Sequence, residues 1–99
     1  MFRLLFSEGV EDDLKRIPRY SRNRILKAIE EQLAHEPAVP TRNRKLLVNL
    51  TPPWGVVSVV WELRIGEYRV FYDVNEPGAE VYLRAVRKKP QGKTTGDIL

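Results

Sequence analysis

The residues of this sequence that could do chemistry lie in WELRIGEYRVFYDV, residues 61–74, and in the next apolar run along the chain. Arginines, one carboxylate and two aromatic residues alternate there with apolar residues: Arg64, Arg69, Arg84, Glu62, Phe71 and Tyr82. Guanidinium groups are planar, multidentate donors for phosphate, and aromatic rings stack on unpaired bases. This combination suits a surface that binds single-stranded RNA.

RNA cleavage through the ribose 2′-OH needs a general base, a general acid and positive charge on the pentavalent phosphate. Arg69 and Arg84 could supply the charge, assisted by Lys88 or Lys89. Glu62 is the candidate base, because the strand pairing given below makes it the only carboxylate beside the arginines at mid-strand. This set would cleave RNA without a metal.

The same residues also have structural explanations. Glu62 could be an ion-pair partner that holds Arg64 or Arg84 in place. The aromatic rings of Phe71 and Tyr82 could be covered by the C-terminal tail or by the first strand. Tyr82 would serve as an acid only if the arginines lowered its pKa from the ordinary value of about 10. Both sets of roles stay open at this point.

The composition predicts one small globular domain over residues 1–99, with a polar tail from about residue 88. The chain has 99 residues, of which 42% are hydrophobic and 30% charged, which is typical of a folded protein with one modest core. No apolar run approaches the roughly 18–20 residues that span a bilayer. The N-terminus becomes acidic too early for a signal peptide. We therefore expect a cytoplasmic protein without a membrane partner.

Metals and cofactors are not expected. The sequence contains no cysteine and a single histidine, His35, which leaves no credible metal cluster and no thiolate chemistry. It also contains no glycine-rich phosphate loop. The formal net charge of +4 favours an anionic partner. Within the basic segment RNRKLL, Arg44 and Lys45 are candidate RNA contacts.

Two helices and a group of strands should position these residues. FRLLF, residues 2–6, predicts a first strand, and a helix that Ser7 caps and Pro18 ends should follow it. Ser21 is the predicted cap of a second amphipathic helix, which Pro37 closes. The proline-rich residues after it predict mostly loop.

Three β-rich runs, 56–65, 68–74 and 79–86, are joined by short turns and predict an antiparallel meander. The expected fold class is α+β, with two N-terminal α-helices packed on one face of a small, mostly antiparallel β-sheet.

A two-residue turn at Gly66-Glu67 fixes the first hairpin, with glycine supplying the positive φ of a type II′ turn. Directly opposite residues share a face. The pairing sets Arg64 opposite Arg69 on one face, and it puts apolar and aromatic pairs on the other.

A four-residue second loop that pairs Val74 with Ala79 would place Phe71 beside Tyr82 and Arg69 beside Arg84. Arg64, Arg69 and Arg84 would then form a row across three strands. Like charges directly opposite one another destabilise a sheet, by up to about 1 kcal/mol per pair. The row therefore predicts an anion site, unless the arginines pair diagonally with nearby carboxylates or point into water.

The hairpin and the following VYLRAVRKK, after two helices and a first strand, resemble the RelE/ParE superfamily of toxins from type II toxin–antitoxin systems. The pattern LR-x-G-x-YR-V-x-Y-x-V, residues 63–74, is the most specific part, and RKLL at residues 44–47 fits the basic segment before the sheet. The resemblance covers nearly the whole chain. It implies the fold described above and a cognate antitoxin that wraps the toxin. RelE-like members cut mRNA in the ribosomal A site, whereas ParE-like members inhibit DNA gyrase without cutting RNA.

The resemblance also places individual residues. The phosphate-binding arginine of the family falls on Arg69, and a second basic residue falls on Lys89, or on Lys88 with a one-residue shift. The lysines of some RelE-like members would fall on Val60 and Glu62, where this chain has none. The C-terminal tyrosine or histidine of several nucleases is absent too.

Our first hypothesis is a ribosome-dependent mRNA endonuclease, whose partners are the ribosome and mRNA. Its predicted catalytic residues are Arg69, Arg84, Glu62 and Lys89, and its predicted RNA-binding residues are Arg64, Phe71, Tyr82, Lys88, Arg44 and Lys45. The alternatives are a non-catalytic inhibitor of DNA gyrase and a toxin homologue that only binds its antitoxin.

Overall fold

The computed structural model describes residues 1–47, 53–54 and 59–98. Its elements in chain order are β1 (Arg3–Phe6), α1 (Glu8–Lys15), α2 (Arg19–Leu33), β2 (Arg44–Leu46), β3 (Trp61–Ile65), β4 (Tyr68–Asn75), β5 (Glu80–Lys88) and α3 (Thr95–Ile98). The strands form one sheet in the order β1-β5-β4-β3-β2. Strand β1 runs parallel to β5, and the other three pairings are antiparallel. The chain therefore has a mixed α/β fold with a five-stranded sheet and three helices.

The two long helices meet at Pro18. Helix α1 begins at its predicted cap, where the Ser7 hydroxyl accepts the Val10 N–H at 3.2 Å, and it ends at Lys15. The prediction that Ser21 caps α2 is wrong, because Pro18 occupies the N-cap position and Ser21 lies within the helix. The fixed φ of proline suits the first positions of a helix, so the helix starts earlier than the serine suggested.

Replacing Ser7 with alanine should lower the free energy of unfolding by about 1 kcal/mol, because the Val10 N–H loses its acceptor. Urea denaturation would measure the change. Ser21→Ala is the matched control, since it replaces a helix-interior serine and should have a smaller effect. Equal losses for the two variants would contradict the capping role of Ser7.

The main core lies between the sheet and the two long helices. Helix residues Val10, Leu14, Ile25, Ile29 and Leu33 form one buried cluster with strand residues Trp61, Leu63, Ile65, Tyr68, Val70, Tyr72, Val81, Leu83 and Val86. A smaller cluster, made of Val60, Phe71 and Ala85, is packed against Leu47, Trp54 and Ile98. None of the described helices is long and apolar enough to cross a membrane.

The predicted register of the first hairpin is confirmed. Strands β3 and β4 pair Trp61 with Tyr72, Glu62 with Phe71, Leu63 with Val70, Arg64 with Arg69 and Ile65 with Tyr68. Gly66 has a φ of 57°, the left-handed conformation that glycine tolerates at this turn position. The turn residue and the alternation of side chains together define this register.

The predicted register between β4 and β5 is wrong. The loop occupies residues 76–79, so that Asn75 pairs with Glu80, two residues away from the predicted alignment. An irregularity between Phe71 and Tyr72 then adds one further residue on β5, because Tyr72 pairs with Leu83 while Phe71 pairs with Ala85. A β-bulge of this kind inserts one unpaired residue into one strand. The unpaired residue here is Arg84.

The basic segment before β3 contains a strand instead of only loop. Strand β2 lies at the sheet edge and pairs Arg44 with Leu63 and Lys45 with Glu62. It is only three residues long, too short for the alternation of apolar and polar residues to reveal it. The predicted strand residues 56–58 lie outside the described residues.

Candidate functional site

Three arginines lie opposite one another on three neighbouring strands. Arg64 on β3 faces Arg69 on β4, and Arg69 faces Arg87 on β5. We call this side of the sheet, opposite α1 and α2, the arginine face. The predicted row contained Arg84, and the shifted register puts Arg87 in its place. The sequence reasoning missed this register position of Arg87, because no local pattern signals the shifted loop or the bulge. The Arg87 side chain is nevertheless paired with Asp13 of α1 and is not free on the arginine face.

Arg69 lies at the centre of the row and is only 7% exposed. Its Nη1 donates to the carbonyl oxygens of Gly66 at 2.8 Å and Tyr68 at 2.9 Å, and its Nε lies 3.3 Å from Glu62 Oε1. The pKa of Arg69 is lowered from its ordinary value, mainly by burial and then by the positive charge of Arg64. The negative charge of Glu62 opposes this shift. Among the described residues, Nη2 has no hydrogen-bond partner. The role of Arg69 in binding phosphate stays a prediction, and Nη2 is the atom that could carry it.

The carboxylate of Glu62 is occupied by contacts within the fold. It is 4% exposed and lies 3.3 Å from Arg69 Nε and 3.8 Å from Lys45 Nζ. The Thr95 hydroxyl in α3 donates to it at 3.0 and 3.2 Å. Glu62 is therefore an ion-pair partner, but of Arg69 and Lys45 rather than of Arg64 or Arg84. Its role as a general base stays a prediction that these contacts do not favour.

Phe71 cannot stack on a base in this structure, so that prediction is wrong. Its side chain is 0% exposed. The ring centroid of Trp54 lies 6.3 Å away, and Ile98 from the C-terminal helix packs on the same cluster. The alternative that the tail covers the ring therefore describes Phe71 correctly.

Arg84 and Tyr82 lie away from the row, Arg84 in the bulge and Tyr82 beyond it. The Nε and Nη2 atoms of Arg84 lie 2.6 and 3.1 Å from the two carboxylate oxygens of Asp73, and this pairing raises the pKa of Arg84. The Arg84 guanidinium carbon lies 5.0 Å from the centre of the Tyr82 ring. Arg84 thus pairs diagonally with a carboxylate, which was one of the alternatives open from the sequence. Its predicted place beside Arg69 is wrong.

Tyr82 does not have the lowered pKa that a general acid would need. Its hydroxyl donates to Glu80 Oε1 at 2.8 Å, and this hydrogen bond is the main reason that the pKa of Tyr82 is raised. Its predicted position beside Phe71 is also wrong, because Tyr82 is opposite Asp73.

Arg44 lies on the wrong face of the sheet for the predicted RNA contact. It is opposite Leu63, is 8% exposed and donates from Nη1 to the Gln32 carbonyl near the C-terminal end of α2. A cation is stabilised there by the helix dipole. Lys45 is opposite Glu62 on the arginine face, and its contact with RNA stays a prediction.

The lysines at the end of β5 lie near the hairpin turn. Lys88 is opposite Tyr68, a residue of the main core, so its predicted place on the RNA-binding face is wrong. Its Nζ lies 3.8 Å from Glu67 Oε2. The Lys89 backbone N–H donates to the Glu67 carbonyl at 2.7 Å. The contribution of the Lys89 side chain to catalysis stays a prediction.

Arg87 is tied to α1 by an ion pair. Its Nη1 lies 2.6 Å from Asp13 Oδ2, and the same carboxylate oxygen accepts the Val86 N–H at 2.9 Å. Two members of the row, Arg69 and Arg87, therefore have carboxylate partners. Arg64 is exposed and has no ion-pair partner within the part of the chain that the structure describes. Arg64 is thus the arginine most available to an anion.

Comparison with known proteins gives the family. A family model described as the ParE toxin of type II toxin–antitoxin systems matches residues 4–91. Among solved structures, the chain is similar to one in the archaeal RelE–RelB complex of Pyrococcus horikoshii, with 23% identity, a TM-score of 0.68, and coverage of 94% of this chain and 98% of that chain.

Two further solved structures share this fold. The isolated RelE toxin of E. coli is 17% identical with a TM-score of 0.68, and the match covers 94% of this chain and 89% of that one. A chain of the RelB–RelE antitoxin–toxin complex from Methanococcus jannaschii is 25% identical with a TM-score of 0.59, covering 85% of this chain and 88% of that chain. No curated protein sequence matches the chain.

Proposed function

Since the chain belongs to the RelE/ParE superfamily of type II toxin–antitoxin toxins, we propose that it arrests growth by binding DNA gyrase rather than by cutting RNA. Gyrase inhibition is the activity that resemblance to ParE-like toxins implies. A cognate antitoxin is its second partner, which the toxin–antitoxin complexes among the similar solved structures support. A short acidic reading frame beside the gene is expected to encode it.

The contacts of Glu62 are the main observation that favours binding over RNA cleavage. A general base must reach the ribose 2′-OH directly or through one water. The Glu62 carboxylate instead contacts Arg69, Lys45 and Thr95, and its side chain is buried. The ring of Phe71, which an RNA-stacking site would expose, lies beneath Trp54 and the C-terminal helix. These contacts favour a surface that binds a partner over a site that cleaves RNA.

A ribosome-dependent mRNA endonuclease is the second candidate, and the arginine row is the observation that favours it. Arg64 is exposed, and Nη2 of Arg69 has no hydrogen-bond partner among the described residues. Two guanidinium groups side by side can stabilise the charge of a pentavalent phosphate. This activity would require Glu62 to leave its present partners.

Induced expression separates these candidates. We expect growth arrest with intact ribosome-bound mRNA by primer extension and with loss of negative supercoiling in a reporter plasmid. Codon-phased cuts that vanish in Arg64→Ala but persist in Arg84→Ala would overturn the proposal in favour of the endonuclease, because only Arg64 belongs to the row. Harmless expression would overturn it in favour of a homologue that only binds its antitoxin.

A further inference from the structure

We propose that the corner formed by α2, β2 and the β3–β4 turn binds the phosphate backbone of a nucleic acid. Two adjoining grooves form this corner. One is lined by Arg24, Lys27, Ala28, Glu31, Gln32, Asn43, Arg64, Ile65 and Gly66. The other is lined by Arg42, Asn43, Lys45, Glu62 and Arg64. Because the grooves share Asn43 and Arg64, they make one continuous track, the corner groove, from α2 to the arginine face.

Unpaired positive charge distinguishes the corner groove. Arg24, Arg42 and Arg64 are exposed, and none has an ion-pair partner within residues 1–47, 53–54 and 59–98. The two lysines make only long pairs, Lys27 with a carboxylate at 4.0 Å and Lys45 with one at 3.8 Å. Five cations and two carboxylates thus line the track, and three guanidinium groups are available to an anion.

Two of these arginines, Arg24 and Arg64, lie at the hairpin turn. A side chain at Gly66 would begin 3.0 Å from both terminal nitrogens of Arg24, so the guanidinium of Arg24 lies directly over the turn. The Arg64 N–H donates to the Asn43 carbonyl at 2.7 Å and fixes the corner between β2 and β3. The fold therefore brings Arg24 of α2 and Arg64 of β3 to the same turn.

Phosphate is the chemistry that fits this lining. Exposed guanidinium groups match phosphate oxygens with parallel hydrogen bonds, and phosphate contacts position a protein without reading base sequence. The apolar residues in the lining are Ala28 and Ile65. The centres of protein interfaces are enriched in Trp and Tyr as well as Arg, and no aromatic residue is among the described residues that line the two grooves. The inference goes beyond the proposed function, because it holds whether the target is gyrase or mRNA.

Fluorescence anisotropy with short labelled single-stranded RNA, single-stranded DNA and duplex DNA over a salt series tests the inference. The triple variant Arg24→Gln, Arg42→Gln, Arg64→Gln removes three phosphate contacts. We expect the slope of log affinity against log salt to fall by about 2 for single strands and by about 3 for the duplex. The three oligonucleotides also show which kind of strand the groove prefers. Arg19→Gln, an exposed arginine of α2 outside both grooves, is the control and should leave the slope unchanged.

Two outcomes would overturn the inference. One is an unchanged salt slope in a triple variant that melts at the wild-type temperature. The other is binding of a polyglutamate peptide that depends on the three arginines while the oligonucleotides do not bind, since the groove would then fit an acidic protein. Anisotropy needs no gyrase, so failure of wild-type protein to inhibit supercoiling would affect only the proposed function.

Discussion

Replacing Glu62 with alanine is expected to lower the free energy of unfolding by about 3–5 kcal/mol. The variant leaves the Arg69 guanidinium buried without its carboxylate partner, and it removes the acceptor of the Thr95 hydroxyl. The side chains of Glu62 and Arg69 are 5% and 9% exposed, so water screens their interaction little. Urea denaturation followed by circular dichroism would measure the loss.

The control is Glu67→Ala on the same hairpin. Glu67 lies 3.8 Å from Lys88, both side chains are more than half exposed, and such a pair contributes less than about 1 kcal/mol. The double variant Glu62→Leu, Arg69→Met should recover much of the loss, because apolar residues can replace a buried ion pair. Wild-type stability of Glu62→Ala, together with complete loss of toxicity, would show instead that Glu62 acts on the target.

Phe71→Ala should lower the free energy of unfolding by about 3–5 kcal/mol, the usual cost of removing a fully buried aromatic ring. The ring holds together the small cluster that joins the sheet to Trp54 and Ile98. Calorimetric melting would measure the effect. We also expect the variant to loosen α3, which hydrogen exchange of the tail amides would report.

Two matched variants sharpen the test of Phe71. Phe71→Leu keeps most of the apolar volume and should cost less than about 1.5 kcal/mol. Tyr82→Ala removes an aromatic ring that is only half-buried and should cost less than Phe71→Ala. A Phe71→Ala variant that keeps wild-type stability but loses RNA binding would contradict the burial of the Phe71 ring and would support its stacking on bases.

Local signals predicted the first hairpin because they act over a few residues. The positive φ of Gly66 and the alternation of residues 61–65, which residues 68–72 follow except at Phe71, favour one register. The next strand has no such constraint. Ala85 is small enough for either face, so the sequence VYLRAV does not show where the alternation breaks. The two-residue shift of the loop and the bulge at Arg84 together put Arg87, rather than Arg84, opposite Arg69.

The positions of other site residues depend on contacts with distant segments. Arg69 was placed correctly because its position follows from the hairpin alone. Phe71 is covered by Trp54 and Ile98, which lie 17 and 27 residues away in the sequence. Arg44 bonds to the end of α2, 12 residues earlier. Neither periodicity nor turn chemistry reports contacts over such separations.

Supercoiling of relaxed plasmid by purified DNA gyrase, measured as a function of added protein, tests the central claim most directly. The account predicts that the supercoiled product falls as the protein concentration rises, and that Arg19→Gln behaves like the wild type. Undiminished supercoiling by gyrase, at protein concentrations that stop a purified translation reaction, would contradict it.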